Sequence, residues 1–226
     1  MRTLDTLPPF VYGGGVFWNR QRSRYDDRLR MTGKEWLEHL HGELMEGESH
    51  WMGTRCLKNP LDIWIYQEIL HEVRPQTVVE LGSAFGGSAL FFSHMLDLLG
   101  EGKVVTVDHW HERFEAEHPR ITRVTGNTLE VFDQVKSLCE GTTLVIHDAS
   151  HVEKHVLDDL RCYAPLVSVG SYLIVEDGVR DLLSETTGPV AACERFLKKN
   201  PDFRLDEERE RFLLTYNPGG FLRRVS

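Results

Sequence analysis

The stretch that decides the fold runs from Thr77 to Ser88 and has the sequence TVVELGSAFGGS. Its first five residues are mostly apolar and β-branched, which predicts a short buried strand of a parallel sheet. A glycine-rich loop, Gly82–Gly87, comes next, and the apolar stretch Ala89–Leu96 then predicts a helix. Strand, glycine loop and helix in this order form the opening unit of a nucleotide-binding α/β domain.

The glycine loop by itself has two interpretations. Glycines let the backbone turn sharply and let a ligand approach closely, and the free N–H groups at the start of a helix favour an anionic group. The spacing is not G-x-G-x-x-G, however, and the strand ends in an acidic residue, Glu80. A tight packing turn between a strand and a helix would use the same residues without any ligand. The choice between a ligand-binding loop and a packing turn therefore depends on evidence from other parts of the chain.

Length and composition exclude several classes of protein. The 226 residues suit one α/β domain with an N-terminal extension, and 41% of them are hydrophobic, enough for a substantial core. The net charge of −9, without a long basic cluster, argues against nucleic-acid binding. We expect no membrane span and no signal peptide, because no long apolar run occurs. The four cysteines form no C-x-x-C pair, which favours free thiols in a cytoplasmic protein.

Residues 1–74 are predicted to form an N-terminal arm and a helical cap, and residues 75–226 a separate domain. The arm is rich in proline, glycine and aromatic residues, and it could be a substrate lid, an oligomer contact or a loosely packed segment. Thr32 and Glu35 form a capping box for a helix whose apolar face includes Leu44. A second helix is predicted from Pro60 to Arg74, so apolar that we expect its side chains, Trp64 included, to be buried.

From Thr77 onward, predicted strands alternate with predicted helices, which is typical of a mostly parallel sheet with helices on both faces. The predicted strands are 77–81, 103–107, 121–125, 142–147 and 171–175, followed by 203–205 and 211–215. The predicted helices after the glycine loop are about 129–138, 151–163 and 189–199.

Acidic residues stand at the ends of these strands, at the edge where open α/β sheets bind ligands. They are Glu80, Asp108, Asp148 and the pair Glu176-Asp177. Asp108 is placed to accept hydrogen bonds from ribose hydroxyls. The alternative, a helix cap, is less favoured because the residues after Asp108 start no obvious helix.

The acids after strands four and five predict a metal site. Asp148, Glu176 and Asp177 would converge there, and three carboxylates repel one another unless a cation or protons lie among them. Hard oxygen ligands suit Mg²⁺ or Ca²⁺. The alternative is three exposed acids that flank one cleft without a metal.

His151 follows Asp148 closely and could take a proton from a substrate hydroxyl held on such a metal. A helix residue without a catalytic role is an equally good interpretation of the sequence. His147, His151 and His155 recur every four residues, but His147 lies on a strand, so the three cannot share one face of a helix as zinc ligands would.

The chain also resembles a known family. Val79–Gly82 with Gly86–Ser88 resembles the cofactor loop of S-adenosylmethionine (SAM) methyltransferases. Three further segments resemble the cephalosporin-hydroxylase-like family, which includes rhamnosyl O-methyltransferases. They are Asn59–Glu68 (NPLDIWIYQE), Tyr172–Asp177 (YLIVED) and Asn217–Leu222 (NPGGFL). The resemblance covers about residues 25–224.

This resemblance implies a Rossmann-like SAM methyltransferase fold with a seven-stranded, mostly parallel sheet. It implies that Glu80, Gly82, Ser88 and Asp108 contact SAM and that Gly126 and Asn127 lie near the adenine. Related macrolide-sugar O-methyltransferases hold Mg²⁺ through one Asp after strand four and an acidic pair after strand five, with a His three residues beyond the first Asp. Asp148, His151 and Glu176-Asp177 match that pattern.

The sequence thus predicts a cytoplasmic Mg²⁺-dependent SAM O-methyltransferase that acts on a small-molecule hydroxyl, in natural-product or sugar tailoring, as a homo-oligomer. Two alternatives stay open. One is an accessory protein that keeps the methyltransferase fold. The other is a metal-dependent oxygenase, for which His109, His111, His147 and Asp148 would have to supply an iron site.

Overall fold

A computed structural model of the protein describes residues 26, 28–41, 49–184 and 187–226. Contacts group the chain into two units, residues 1–37 and 38–226. The predicted capping box is confirmed: the Thr32 amide donates to the Glu35 carboxylate at 2.7 Å, and the Glu35 amide donates to the Thr32 hydroxyl at 3.2 Å. It starts helix α1 (Gly33–His39). The predicted arm up to residue 25 and Leu44 lie outside the described residues.

The second unit contains residues 38–74 together with the predicted domain, and the division at residue 74 stays a prediction. The first strands described in it, β1 (His50–Trp51) and β2 (Thr54–Arg55), form a hairpin. The α-helices and strands that follow in the described residues are α2 (Pro60–Val73), β3 (Thr77–Leu81), α3 (Gly87–Leu99), β4 (Lys103–Asp108), β5 (Ile121–Thr125), α4 (Phe132–Leu138), β6 (Thr143–His147), α5 (Glu153–Tyr163), β7 (Tyr172–Val175), α6 (Val179–Ser184), α7 (Pro189–Leu197), β8 (Phe203–Leu205) and β9 (Phe221–Arg224).

Strands β3 to β9 form one seven-stranded sheet in the order β5-β4-β3-β6-β7-β9-β8. Neighbours among β3 to β7 are parallel, and β9 runs antiparallel to both β7 and β8. The predicted fold class is confirmed. The strand order reverses between β3 and β6, so a crevice for ligands is expected beyond the carboxyl ends of these two strands.

Apolar side chains cover both faces of this sheet. Val79 and Leu81 of β3 belong to one core cluster, and Val78 belongs to the other together with Ile65 of α2 and Phe91 of α3. All five residues of β3 are buried, as in a strand with helices on both sides. The strand is thereby fixed in register, and its carboxyl end is a rigid platform for the glycine loop.

Two predictions about this unit are wrong, one about its last strand and one about the burial of Trp64. Residues 211–215 form no strand: Leu213 is 91% exposed, whereas Phe221 and Leu222 are fully buried in β9, which pairs with β7. Trp64 of α2 is 58% exposed, and its indole N–H donates to Glu68 at 3.1 Å. The opposite side of α2, with Ile65 and Ile69, packs on the sheet, so one face of the helix remains at the surface.

Smaller differences concern element ends. The predicted helices around 129–138 and 151–163 begin at Phe132 and Glu153. No helix in the parts of the chain that the structure describes combines the length and apolar character needed to cross a membrane.

Candidate active site

A cavity of about 370 Å³ opens at the carboxyl ends of β3, β4, β5 and β6, and its size suits a small ligand. The structure brings most of the predicted cofactor residues together here. Those lining the cavity are Gly82, Ser88, Asp108, Gly126 and Asn127, and Asp148 lines it as well.

The glycine loop is held in place from two sides. Gly82 has φ +94°, and a Cβ atom built there would lie 2.1 Å from the Asp148 carbonyl oxygen, so only glycine fits. Asp108 Oδ2 accepts hydrogen bonds from the Ser83 amide at 3.0 Å and the Ala84 amide at 3.1 Å. The hydrogen bonds that described residues donate to Asp108 all go to this one oxygen, so Oδ1 is available to a ligand.

Glu80 does not line the cavity. It is fully buried beneath the glycine loop, where the Ser88 hydroxyl donates to one carboxylate oxygen and the Thr106 hydroxyl donates to the other at 2.5 Å. Burial raises the pKa of Glu80, while nearby Lys58 lowers it. In this structure Glu80 therefore positions Ser88 and the start of α3, and a direct contact with SAM would require a rearrangement.

Asp148, His151 and Asp177 form a group at the adjoining ends of β6 and β7. One ligand atom from each lies within 4.8 Å of the others, and His151 Nε2 is 3.2 Å from Asp177 Oδ2. Asp177 has φ +61°, a conformation that Asp tolerates better than most residues and that is found at strained functional sites. Two carboxylates and an imidazole can together hold a divalent cation.

The electrostatics of this group suit metal binding and proton transfer. Burial, assisted by Asp148, raises the pKa of Asp177 to about 7. Burial lowers the pKa of His151 below its usual 6.5, so its imidazole is neutral at pH 7 and able to accept a proton.

Glu176, the third predicted metal ligand, lies deeper and is already engaged. Its Oε1 accepts a hydrogen bond from the Tyr66 hydroxyl at 2.7 Å, and its Oε2 is 2.7 Å from the Lys58 ammonium. Lys58 also lies 2.5 Å from Asp148 Oδ2 and is only 3% exposed. Burial raises the pKa of Glu176, and the charge of Lys58 opposes that shift.

Lys58 is a residue of the candidate site that the sequence patterns did not indicate. Burial alone would lower its pKa, but Asp148 and Glu176 raise it well above the ordinary value, so it stays charged. One signal could have found it. Lys58 stands between the apolar pair Cys56-Leu57 and the N-cap Asn59 of an apolar helix, and a charge buried there must be paired.

The other histidines do not build a second metal centre in the described residues. His147 is buried, and its Nε2 lies 2.9 Å from Asp159 Oδ2, whereas His155 Nδ1 lies 3.3 Å from the Ser150 hydroxyl. The group of Asp148, His151 and Asp177 is the one in which ligand atoms converge across the described parts of the chain. The iron site required of an oxygenase, with His109 and His111, is therefore not favoured.

A doubly wound sheet with a glycine loop after its first long strand, an acid after the second and an antiparallel β9 between β7 and β8 defines a SAM-methyltransferase fold. The family model described as rhamnosyl O-methyltransferase/CmcI matches residues 44–225. The chain therefore belongs to the rhamnosyl O-methyltransferase/CmcI family. The predictions that the chain belongs to this family and is a SAM-dependent methyltransferase are confirmed.

Curated relatives support this membership. The rhamnosyl O-methyltransferase of Mycobacterium tuberculosis (strain ATCC 25618 / H37Rv) is 34% identical over 204 residues, which cover 84% of this chain and 83% of that protein. The rhamnosyl O-methyltransferase of Mycobacterium leprae (strain TN) is 35% identical over 203 residues, covering 84% and 89%.

Solved structures agree on the fold. A structure of CmcI with Mg and SAM has a TM-score of 0.65 at 24% identity, covering 79% of this chain and 77% of that one. A putative caffeoyl-CoA O-methyltransferase from Staphylococcus aureus has a TM-score of 0.53 at 16% identity, covering 84% and 93%.

Proposed function

We propose that this protein is a Mg²⁺-dependent SAM O-methyltransferase that methylates a hydroxyl group of a small sugar-bearing acceptor. The observation that carries the proposal is the double position of Asp148. It lines the cavity beside the glycine loop and also belongs to the group with His151 and Asp177. A methyl donor and a cation-held hydroxyl would thus be neighbours, and methyl transfer depends above all on such positioning.

The cavity fits SAM in its distribution of polar groups. Asp108 offers an unoccupied carboxylate oxygen for ribose hydroxyls, and Gly126 and Asn127 line the part of the cavity beyond β5, where we place the adenine. Gly82 and Ser88 line the part nearest the start of α3. Glu80 contributes by fixing Ser88 from below. The CmcI structure with Mg and SAM supports SAM as the cofactor of this proposal.

The acidic group fits Mg²⁺ because it is rich in carboxylate oxygen, the ligand type that this cation prefers. Asp148 and Asp177 would bind it directly. Glu176 would have to exchange its contact with Lys58 to join them. A bound Mg²⁺ would lower the pKa of the acceptor hydroxyl and fix its direction.

We assign the role of general base to His151. Its neutral imidazole would take the proton of the acceptor hydroxyl as the oxygen bonds to the methyl carbon and the carbon–sulfur bond breaks. Asp177, 3.2 Å away, would stabilise the imidazolium that forms.

Turnover on a defined acceptor tests the function. Purified protein is incubated with SAM and a panel of sugar glycosides that includes rhamnosides, and S-adenosylhomocysteine is measured by mass spectrometry. We expect methylation of a rhamnoside or a similar deoxysugar, since the curated relatives are rhamnosyl O-methyltransferases. EDTA should abolish turnover and Mg²⁺ should restore it.

Full activity in excess EDTA after dialysis would remove the metal from the proposal. Binding of SAM without turnover on any acceptor would favour the accessory protein. Natural-product tailoring and assembly into a homo-oligomer stay predictions.

A further inference from the structure

Arg55 lies at the end of β2, where the hairpin packs against the start of α3. A Cβ atom built at Gly87 would lie 2.0 Å from the Arg55 carbonyl oxygen, so this contact is close and fixes the backbone of Arg55. The guanidinium carbon lies 4.1 Å from the centre of the Phe85 ring, in the glycine loop, and Arg55 lines the cavity. The side chain is thus held over the cofactor loop by a cation–π contact.

The guanidinium lacks the acceptor that such a position requires. Among the residues that the structure describes, its buried Nε has no hydrogen-bond partner and no carboxylate forms an ion pair with Arg55. A buried donor without a partner costs free energy, so an acceptor from outside the chain is expected.

Lys58, the other strongly basic residue among those lining the cavity, is in a different situation. Its ammonium lies within 2.7 Å of both Asp148 and Glu176, so its charge is already matched by carboxylates of the chain. Of the two strongly basic residues in the described lining of the cavity, Arg55 is therefore the one whose charge is free for a ligand.

We propose that Arg55 binds the α-carboxylate of the methionine part of SAM, an inference that rests on the proposed cofactor. That carboxylate is the cofactor's anionic group. Asp108 and Asn127 suit the nucleoside, which leaves the methionine part for the region of the glycine loop and Arg55. A guanidinium pairs with a carboxylate through two parallel hydrogen bonds, which gives both affinity and orientation.

The proposed contact between Arg55 and the carboxylate is tested with a form of the cofactor that lacks this carboxylate. Isothermal titration measures the affinities of SAM and of decarboxylated SAM, which keeps the sulfonium, the amine and the nucleoside. Wild-type protein should bind SAM about tenfold or more tightly than the decarboxylated form, because a charge-assisted hydrogen bond is lost. Arg55→Met should abolish this preference and leave the affinity for decarboxylated SAM nearly unchanged.

Arg123→Met is the matched control. Arg123 also lies over a phenylalanine ring, 5.3 Å from the centre of Phe114, but it does not line the cavity. This variant should keep the wild-type preference for SAM, and Arg55→Lys should keep part of it.

The outcomes separate the two proposals. If wild-type protein and Arg55→Met show the same preference for SAM, the role of Arg55 is refuted while the cofactor stands. If wild-type protein binds neither compound, the proposed cofactor is refuted and the role of Arg55 with it. A circular dichroism spectrum equal to that of the wild type checks that each variant is folded.

Discussion

At the scale of single residues, Lys58 supplies a buried positive charge between Asp148 and Glu176. Lys58→Met would leave Asp148 and Glu176 facing each other without a cation, and breaking a buried ion pair by removing one partner costs about 3–5 kcal/mol. We expect a loss of this order in the free energy of unfolding, measured by urea denaturation without metal. Added Mg²⁺ should recover part of the loss, because it supplies a cation to the same carboxylates.

A surface pair provides the control for Lys58. Lys103 lies 2.7 Å from Glu140, but the two side chains are 28% and 76% exposed. Lys103→Met should therefore change stability by less than about 1 kcal/mol. Equal losses in the two variants, or no recovery of Lys58→Met with Mg²⁺, would contradict the role assigned to Lys58.

His151 can act either as a base or as a metal ligand, and one variant distinguishes the two. If it is the base, His151→Ala should lower turnover by about 10²- to 10⁴-fold and keep the Mg²⁺ and SAM affinities of the wild type. Turnover and titration are measured on the same protein preparation. A weakened Mg²⁺ affinity would make His151 a ligand, and an unchanged rate would mean that no base is needed.

At the scale of elements, the turn from β3 to α3 depends on Gly82. Gly82→Ala adds a Cβ atom 2.1 Å from the Asp148 carbonyl oxygen and requires a positive φ, so β3 and β6 must shift apart. We expect a loss of SAM affinity of more than tenfold and a lower melting temperature, measured by titration and by calorimetry.

Gly170→Ala separates the two causes of this effect. Gly170 has a similar φ of +87°, but a Cβ atom there would meet nothing within 4 Å. In this variant only the strain of a positive φ lowers the free energy of unfolding, and the SAM affinity should stay unchanged. Similar losses of stability in both variants would show that the contact with Asp148 is unimportant.

Sequence patterns predicted the elements whose signal is local. The apolar β-branched run of β3, the glycines that follow it and the capping box at Thr32 each act within a few residues, and all were confirmed. The last strand was misplaced because residues 211–215 contain three consecutive apolar residues, whereas β9 contains two apolar residues followed by two arginines. Only pairing with β7, which is set by the whole sheet, decides between such segments.

In the candidate site, too, features set by local sequence could be predicted, whereas contacts between residues distant in the chain could not. Strand ends predicted which acids would gather at the sheet edge, because parallel strands end on one side. The contacts of Lys58 could not be predicted this way, since Asp148 and Glu176 are 90 and 118 residues distant along the chain. The prediction that Trp64 is buried was wrong for a related reason. Composition shows that a helix is apolar, whereas its neighbours in the folded protein determine which face of the helix is buried.

At the scale of the whole molecule, four charged residues from several parts of the chain act on Asp177, and their balance predicts how metal binding depends on pH. Burial raises the pKa of Asp177 to about 7. The charges that act on it are Asp148 and Asp62, which raise its pKa, and Lys58 and Arg180, which lower it. A metal ligand must be deprotonated, so Mg²⁺ competes with the proton on Asp177.

The sign of the pH dependence follows from that competition. Below pH 7 Asp177 holds its proton and opposes Mg²⁺, whereas above pH 7 it is ionised, so Mg²⁺ affinity should rise between pH 6 and pH 8. His151, whose pKa lies below 6.5, is neutral over most of this range and adds little. Titration of Mg²⁺ in two buffers of different ionisation enthalpy should also show proton release at pH 6.5. Asp177→Asn, which cannot titrate, should bind Mg²⁺ more weakly and with a flatter pH dependence. A wild-type affinity that is constant from pH 6 to pH 8 would mean that Asp177 is not a ligand.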